Sequence, residues 1–171
     1  SFPTPHASDL FAGPGIVFRV DPRSREMTAL RRFERFYYPT EEYNPSALKV
    51  NGLTENVIRK FRGDCKYPES FRVDGEFINF AKDVDKVVGH NISFDLQFIP
   101  AFANKSSFCT MRTNRDRVAA GYMARYGAQK YPKLSETAAY FKIRHDPDLL
   151  HGALYDVEVT AGIFEKMLKL P

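Results

Sequence analysis

Cysteine is scarce: the 171 residues hold only Cys65 and Cys109. The two lie far apart and outside any CxxC or Cys/His spacing, which argues against a disulfide framework and against a structural zinc site. No apolar run approaches the ~18 residues that a membrane span needs, so no membrane partner is expected. The opening residues, Ser1 to Leu10, lack a basic start followed by an apolar stretch. No signal peptide is therefore expected, and the chain is expected to be intracellular. In that setting the sequons Asn91-Ile92-Ser93 and Asn104-Lys105-Ser106 read as chance. Internal repeats, low-complexity stretches and linkers are also missing, so residues 1–171 read as a single domain.

What the chain does contain is enough to fold. Apolar residues make up 43% of it, sufficient for one core at this length. Twenty-five basic residues against 21 acidic ones give a net charge of +4. That balance fits a polyanionic partner without demanding one. The basic segments are Arg19 to Arg25, the group Arg31, Arg32 and Arg35, and Arg112 to Arg117. Each of them also reads as solvated surface charge.

The pattern along the chain starts with strands and then alternates strands with helices. Gly15 to Val20 is a β-type run followed by the turn signal Asp21-Pro22-Arg23-Ser24. Thr28 to Tyr38 is a second, aromatic run ended by Pro39, and the two predict an antiparallel hairpin. Ser46 to Val50 and Thr54 to Phe61 read as short helical pieces, the second capped by Thr54. Arg62 to Arg72 reads as a loop, Asp74 to Asp83 as a helix, and Lys86 to Gly89 as a short buried strand. Ser93 to Phe102, shortened or kinked by Pro100, reads as helical, as do Arg112 to Ala124 and Leu134 to Phe141. In the last helix Leu150, Leu154, Val157, Ala161, Phe164 and Leu168 form one apolar stripe. Strands with intervening helices imply an α/β domain with a mixed sheet.

Two segments bring acid, imidazole and helix start together. One is Gly89-His90-Asn91-Ile92-Ser93-Phe94-Asp95, a strand end running into a helix. The other is His151-Gly152-Ala153-Leu154-Tyr155-Asp156, which enters the final helix. Acids at strand ends and helix starts are how α/β sheets gather oxygen ligands for hard cations such as Mg²⁺, with a nearby His as general base. Taken singly, Asp95 and Asp156 fit better as acids that stabilise a helix dipole. Likewise, His151 alone fits a loop histidine, and His90-Asn91 fits turn and cap residues.

Together the segments resemble a known family. GHNISFDLQFI is similar to the second motif, and HGALYDVEVTAGIF to the third, of the DEDDh group of DnaQ-like 3′–5′ exonucleases. The resemblance extends through Tyr43-Asn44-Pro45 to Asn51-Gly52-Leu53-Thr54, Phe108-Cys109-Thr110-Met111 and Lys130-Tyr131-Pro132-Lys133-Leu134-Ser135, in the family's order. It implies an RNase H-like fold with a mixed five-stranded sheet flanked by helices. It also implies a two-metal site for Mg²⁺ or Mn²⁺, with ions about 3.5–4 Å apart, acting on a DNA or RNA 3′ end. By the resemblance Asp156 and Asp95 are metal ligands and His151 deprotonates the attacking water. Thr4, His90, Asn91 and Phe94 shape the pocket for the terminal nucleotide.

The first motif departs from the family's Phe-Asp-x-Glu-Thr-Thr-Gly. The corresponding stretch is Phe2-Pro3-Thr4-Pro5-His6-Ala7-Ser8, so Pro3 and Pro5 stand where the two carboxylates belong. Both prolines also remove ladder donors from a central strand, and the N-terminal strand is expected to be truncated or divergent. Mg²⁺ demands near-ideal octahedral oxygen geometry, so weak metal binding and slow or absent cleavage are expected. Three readings stay open. The chain is a pseudo-nuclease kept for nucleic-acid binding or for assembly in a protein complex. Or its N-terminus is not the native one. Or a partner chain, or a displaced acid such as Asp9, completes the site.

Overall fold

The computed structural model describes residues 14–39, 48–49, 52–99, 102, 104–123, 127–146, 149 and 152–171. The expected hairpin forms, with β1 (Gly15–Val20) antiparallel to β2 (Met27–Phe33). Its turn is fixed by Asp21, whose Oδ1 accepts the backbone N–H of both Arg23 and Ser24 at 2.7 Å. Strand β2 ends five residues before Tyr38. Beyond it the chain leaves its partner strand and is held by side chains instead: the Tyr67 hydroxyl accepts the Phe36 N–H, and the Tyr38 N–H reaches the Glu69 carbonyl.

Helix α1 (Glu55–Arg62) carries the expected cap, with the Thr54 hydroxyl accepting the Val57 N–H. A 3₁₀ turn (Phe71–Val73) and helix α2 (Gly75–Phe80) follow. Helix α2 stops short of Asp83, because turns take over from Ala81. The Ser46 to Val50 piece lies almost wholly outside the described residues.

The centre of the molecule is a strand–helix–strand unit. Strand β3 (Lys86–Gly89) runs parallel to β4 (Ser106–Cys109), with Val88 opposite Phe108. Between them α3 (Ile92–Asp95) lasts a single turn and continues as turns, rather than as a helix to Phe102. After β4 comes α4 (Thr110–Thr113), then a small hairpin of β5 (Tyr122–Met123) and β6 (Ala128–Gln129). The helix expected over Arg112 to Ala124 is thus replaced by one turn of helix, further turns and a strand. Helices α5 (Leu134–Tyr140) and α6 (Ala153–Leu168) close the chain close to their expected bounds.

The sheet differs from expectation. Among the described residues the strands form three two-stranded sheets, β1–β2, β3–β4 and β5–β6, and not one five-stranded sheet. The α/β character holds, and helices connect what the ladders do not. Phe77, Ala81 and Phe102 form a core packed by Phe33 of β2 and Val87 of β3. Phe33 meets Phe77 edge-on at 5.2 Å between ring centroids. A second core joins Ala138 of α5 to Val159 and Ile163 of α6.

The buried face of α6 is not the expected stripe. Val159, Thr160 and Ile163 are the buried residues, while Leu154, Val157, Ala161, Phe164 and Leu168 are half-buried. The reason is that α6 packs on several sides, against α5, β1 and β3. Phe164 meets Phe108 of β4 at 5.3 Å, and Ile143 packs over Gly162, its Cδ1 3.4 Å from where a Cβ there would sit. A helix packed on several sides has no single apolar face for periodicity to find.

Candidate active site

The exit of β3 positions the first candidate segment. Gly89 ends the strand, and a Cβ there would lie 2.7 Å from Ile92 Cδ1 and 3.3 Å from Ile92 Cα. Glycine is therefore needed for α3 to fold straight back onto the strand end. Asn91 takes φ +75° as the residue entering the helix, a left-handed conformation that asparagine tolerates better than most side chains. Its backbone, more than its amide, thus accounts for Asn91 in the structure.

Asp95 closes the single turn of α3 and is half-buried. Burial pushes its carboxyl up to about 6, against a weaker downward pull from its own backbone N–H. A desolvated carboxylate of this kind is stabilised by a cation, so Asp95 fits a divalent ion. Phe94 beside it is 42% exposed, its ring edge-on to Phe98 at 5.2 Å.

His90 is fixed on both sides. Its Nδ1 lies 3.0 Å from the Thr110 hydroxyl and its Nε2 lies 3.0 Å from the Pro132 carbonyl. Burial lowers its pKa, with the Pro132 carbonyl opposing, which favours the neutral ring. A carbonyl can only accept, so Nε2–H donates to Pro132 and Nδ1 accepts from Thr110. Thr110 in turn is gripped by Asn114, whose amide donates to the Thr110 carbonyl at 2.8 Å. The other end of that amide, Asn114 Oδ1, is buried without a hydrogen-bond partner among the described residues. This His90–Thr110–Asn114 chain is new to the structure. Thr110 sits in a segment that carries the family resemblance, but nothing in the sequence singles out Asn114.

Asp156 lies in the first turn of α6, half-buried, with its N–H donating to the Gly152 carbonyl at 3.0 Å. Its neighbour Tyr155 accepts the Asp146 N–H on its hydroxyl at 2.6 Å. Arg144, His145, Asp146 and Tyr155 line an open cavity of about 510 Å³ beside this helix start. Helices α3 and α6 both pack against β3, so the elements bearing Asp95 and Asp156 share one strand. His151, Thr4, Pro3 and Pro5 lie outside the described residues. Among the described residues no three His, Cys, Asp or Glu side chains gather as a metal-binding group. Nor, among them, is any helix long and apolar enough to cross a membrane.

Comparison with known proteins adds a family. The sequence profile of the family described as Exonuclease (RNase_T) matches residues 18–164. The chain is 30% identical over 139 residues to a DNA polymerase III PolC-type protein of Caldanaerobacter subterraneus subsp. tengcongensis. It is 28% identical over 139 residues to the PolC-type protein of Halalkalibacterium halodurans. These matches take in 80% and 81% of the chain but only 9% of either relative. A DNA polymerase III subunit epsilon from Pasteurella multocida is 26% identical over 156 residues, 86% of the chain and 56% of that subunit. The chain therefore spans about a tenth of the PolC-type relatives and about half of the epsilon subunit.

Proposed function

The chain belongs to the DnaQ-like exonuclease family, and from that premise we propose that it is a 3′–5′ exonuclease domain for DNA or RNA ends, slow or silent as it stands. The observation that carries this reading is Asp95. It closes the single helical turn that follows β3, and burial holds its proton to about pH 6. A purely structural acid at a helix start would gain more from exposure and the helix dipole.

Asp95 and Asp156 are the residues that would hold a divalent ion, Mg²⁺ or Mn²⁺. Such an ion supplies Lewis acidity at the scissile phosphate. His151 takes the proton of the attacking water on a ring nitrogen, while the bond from phosphorus to the 3′ oxygen breaks and that oxygen gains a proton. Phe94 offers an exposed ring to the terminal base, beside Asn91. Thr4 and His90 complete the pocket in this reading, His90 by fixing the strand exit. The relatives are DNA polymerase III chains, which supports an intracellular polymerase assembly as the protein partner.

Pro3 and Pro5 favour a second reading, a pseudo-nuclease that binds nucleic acid or helps assembly without cutting. One assay separates the two. Single-stranded DNA and RNA carrying a label that survives 3′ trimming are incubated with Mg²⁺ or Mn²⁺, with a chelator control and His151→Ala beside them. Metal-dependent laddering that His151→Ala abolishes is the result expected of a nuclease. If the chain is folded but inert, Pro3→Asp/Pro5→Glu should raise cleavage at least about 100-fold, since even supporting residues of a metal site are worth 10–100-fold. No gain in that folded variant would count against the nuclease reading and leave the binding one.

A further inference from the structure

The whole basic excess of the chain lies in one segment. Residues 112–133 hold six basic side chains (Arg112, Arg115, Arg117, Arg125, Lys130 and Lys133) and one acid, Asp116. The remaining residues carry 19 basic and 20 acidic side chains, so without this segment the net charge would be −1.

The structure widens this contrast, because arginines of the other group are held by partners elsewhere in the chain. Arg25 donates to the carbonyls of Leu168 and Leu170, Arg31 pairs with Asp83, Arg32 with Glu158, and Arg35 with Asp74. These contacts fasten the first hairpin and the segment after it to their neighbours, with a carboxylate set against Arg31, Arg32 and Arg35. Arg112, Arg117 and Lys133 are instead exposed.

Aromatic rings are interleaved with this charge. Tyr122 on β5 is 63% exposed and Tyr131 is 41% exposed. Arg115 holds the arrangement together: its Nε donates to the Gln129 carbonyl at 3.0 Å, and its guanidinium lies 4.9 Å from the centre of the Tyr131 ring. The Lys130 N–H closes the loop onto the Gly121 carbonyl at 2.8 Å. The base of the arm is then tied to the candidate site, because the Pro132 carbonyl accepts from His90 at the exit of β3.

We infer that the described residues 112–123 and 127–133 form a single-strand binding arm, holding the polynucleotide upstream of the end presented to Asp95. Tyr122 and Tyr131 stack bases, and Arg112, Arg117 and Lys133 meet phosphates. The inference rests on the exonuclease reading above for the identity of the strand.

The test measures binding of a fluorescent 20-nucleotide single-stranded DNA in chelator, by anisotropy across a salt series. The full chain is compared with Arg112→Ser/Arg117→Ser/Lys133→Ser, with Tyr122→Ala/Tyr131→Ala, and with Arg19→Ser/Arg23→Ser as a control. The serine arm variant should lose at least tenfold in affinity and flatten the logarithmic salt slope by about 2, at roughly 0.7 for each single-strand phosphate that is no longer neutralised. The tyrosine variant should weaken binding about tenfold with the slope unchanged, and the control should bind as the full chain does. Arm variants that bind like the full chain, or a full chain that does not bind at low salt, would overturn the inference and reassign the arm to an acidic protein partner. Hydrolysis of a nucleotide p-nitrophenyl ester, too short to reach the arm, reports the catalytic site independently. No such activity even in the folded Pro3→Asp/Pro5→Glu chain, with arm-dependent binding intact, would defeat the exonuclease reading and not the arm.

Discussion

Asp95 is where fold and function pull in opposite directions. A free aspartic acid ionises near 3.8, whereas the folded protein holds this proton to about 6. Between those values the folded state binds more protons than the unfolded one. Stability contributed by the protonated side chain therefore declines as pH rises through that window, by up to about 3 kcal/mol at 1.36 kcal/mol per pKa unit. Asp95→Asn should remove this slope and raise the melting temperature by several degrees at pH 7.5 in chelator, measured by calorimetry or circular dichroism. Mg²⁺ or Mn²⁺ should then stabilise the original chain and not the variant, since an ion that binds only the folded state adds stability by mass action. Parallel pH profiles for the two proteins would remove Asp95 from the site. The acid itself was legible in its motif, because its spacing from Gly89 is local. Its desolvation was not, because that depends on packing around α3 that no spacing records.

Helix α1 shows how an element can act through its last residue. The sequence reads a loop from Arg62 onward, yet the Arg62 side chain is buried. Its guanidinium donates to the carbonyls of Phe36, Pro68 and Tyr67 and lies 4.3 Å from the centre of the Tyr67 ring. On its far side Tyr67 meets Arg35, which pairs with the buried Asp74. Burial alone would raise the Asp74 carboxyl, but hydrogen bonds from Arg35, Tyr37 and the Glu76 N–H hold it below the usual range. Arg62→Ala would leave three carbonyls without their charged donor and should cost about 3 kcal/mol or more in urea unfolding. Helix α6 offers a second check. Ile163 is fully buried beside Ala138 and Val159, so Ile163→Ala should cost about 2–5 kcal/mol. The expected stripe omits Ile163 and Val159, so substitutions at Leu154 and Leu168 should cost less than Ile163→Ala. Equal losses would restore the stripe.

For the molecule as a whole, the sequence carries what adjacent residues dictate. The β1–β2 hairpin, the Thr54 cap, strand β3, helix α5 and the extent of α6 follow from turn chemistry, caps and apolar spacing within a few residues. The family was legible for the same reason, since each exonuclease motif is a short contiguous stretch. Tertiary structure decided the rest. It ended β2 at Phe33 and reduced α3 to one turn, and among the described residues it left three two-stranded sheets where a single mixed sheet was expected. It also decided which charges are spent. Arg32 meets Glu158 across 126 positions of sequence and Arg25 reaches Leu168 across 143, whereas Arg112 and Arg117 stay in solvent. Local propensity reads a neighbourhood of a few residues, but an ion pair, a desolvated acid or a ladder partner is fixed by residues that only the fold brings near. The +4 charge and its excess over residues 112–133 were therefore written in the sequence, and which cations are paired and which stay exposed was settled by packing.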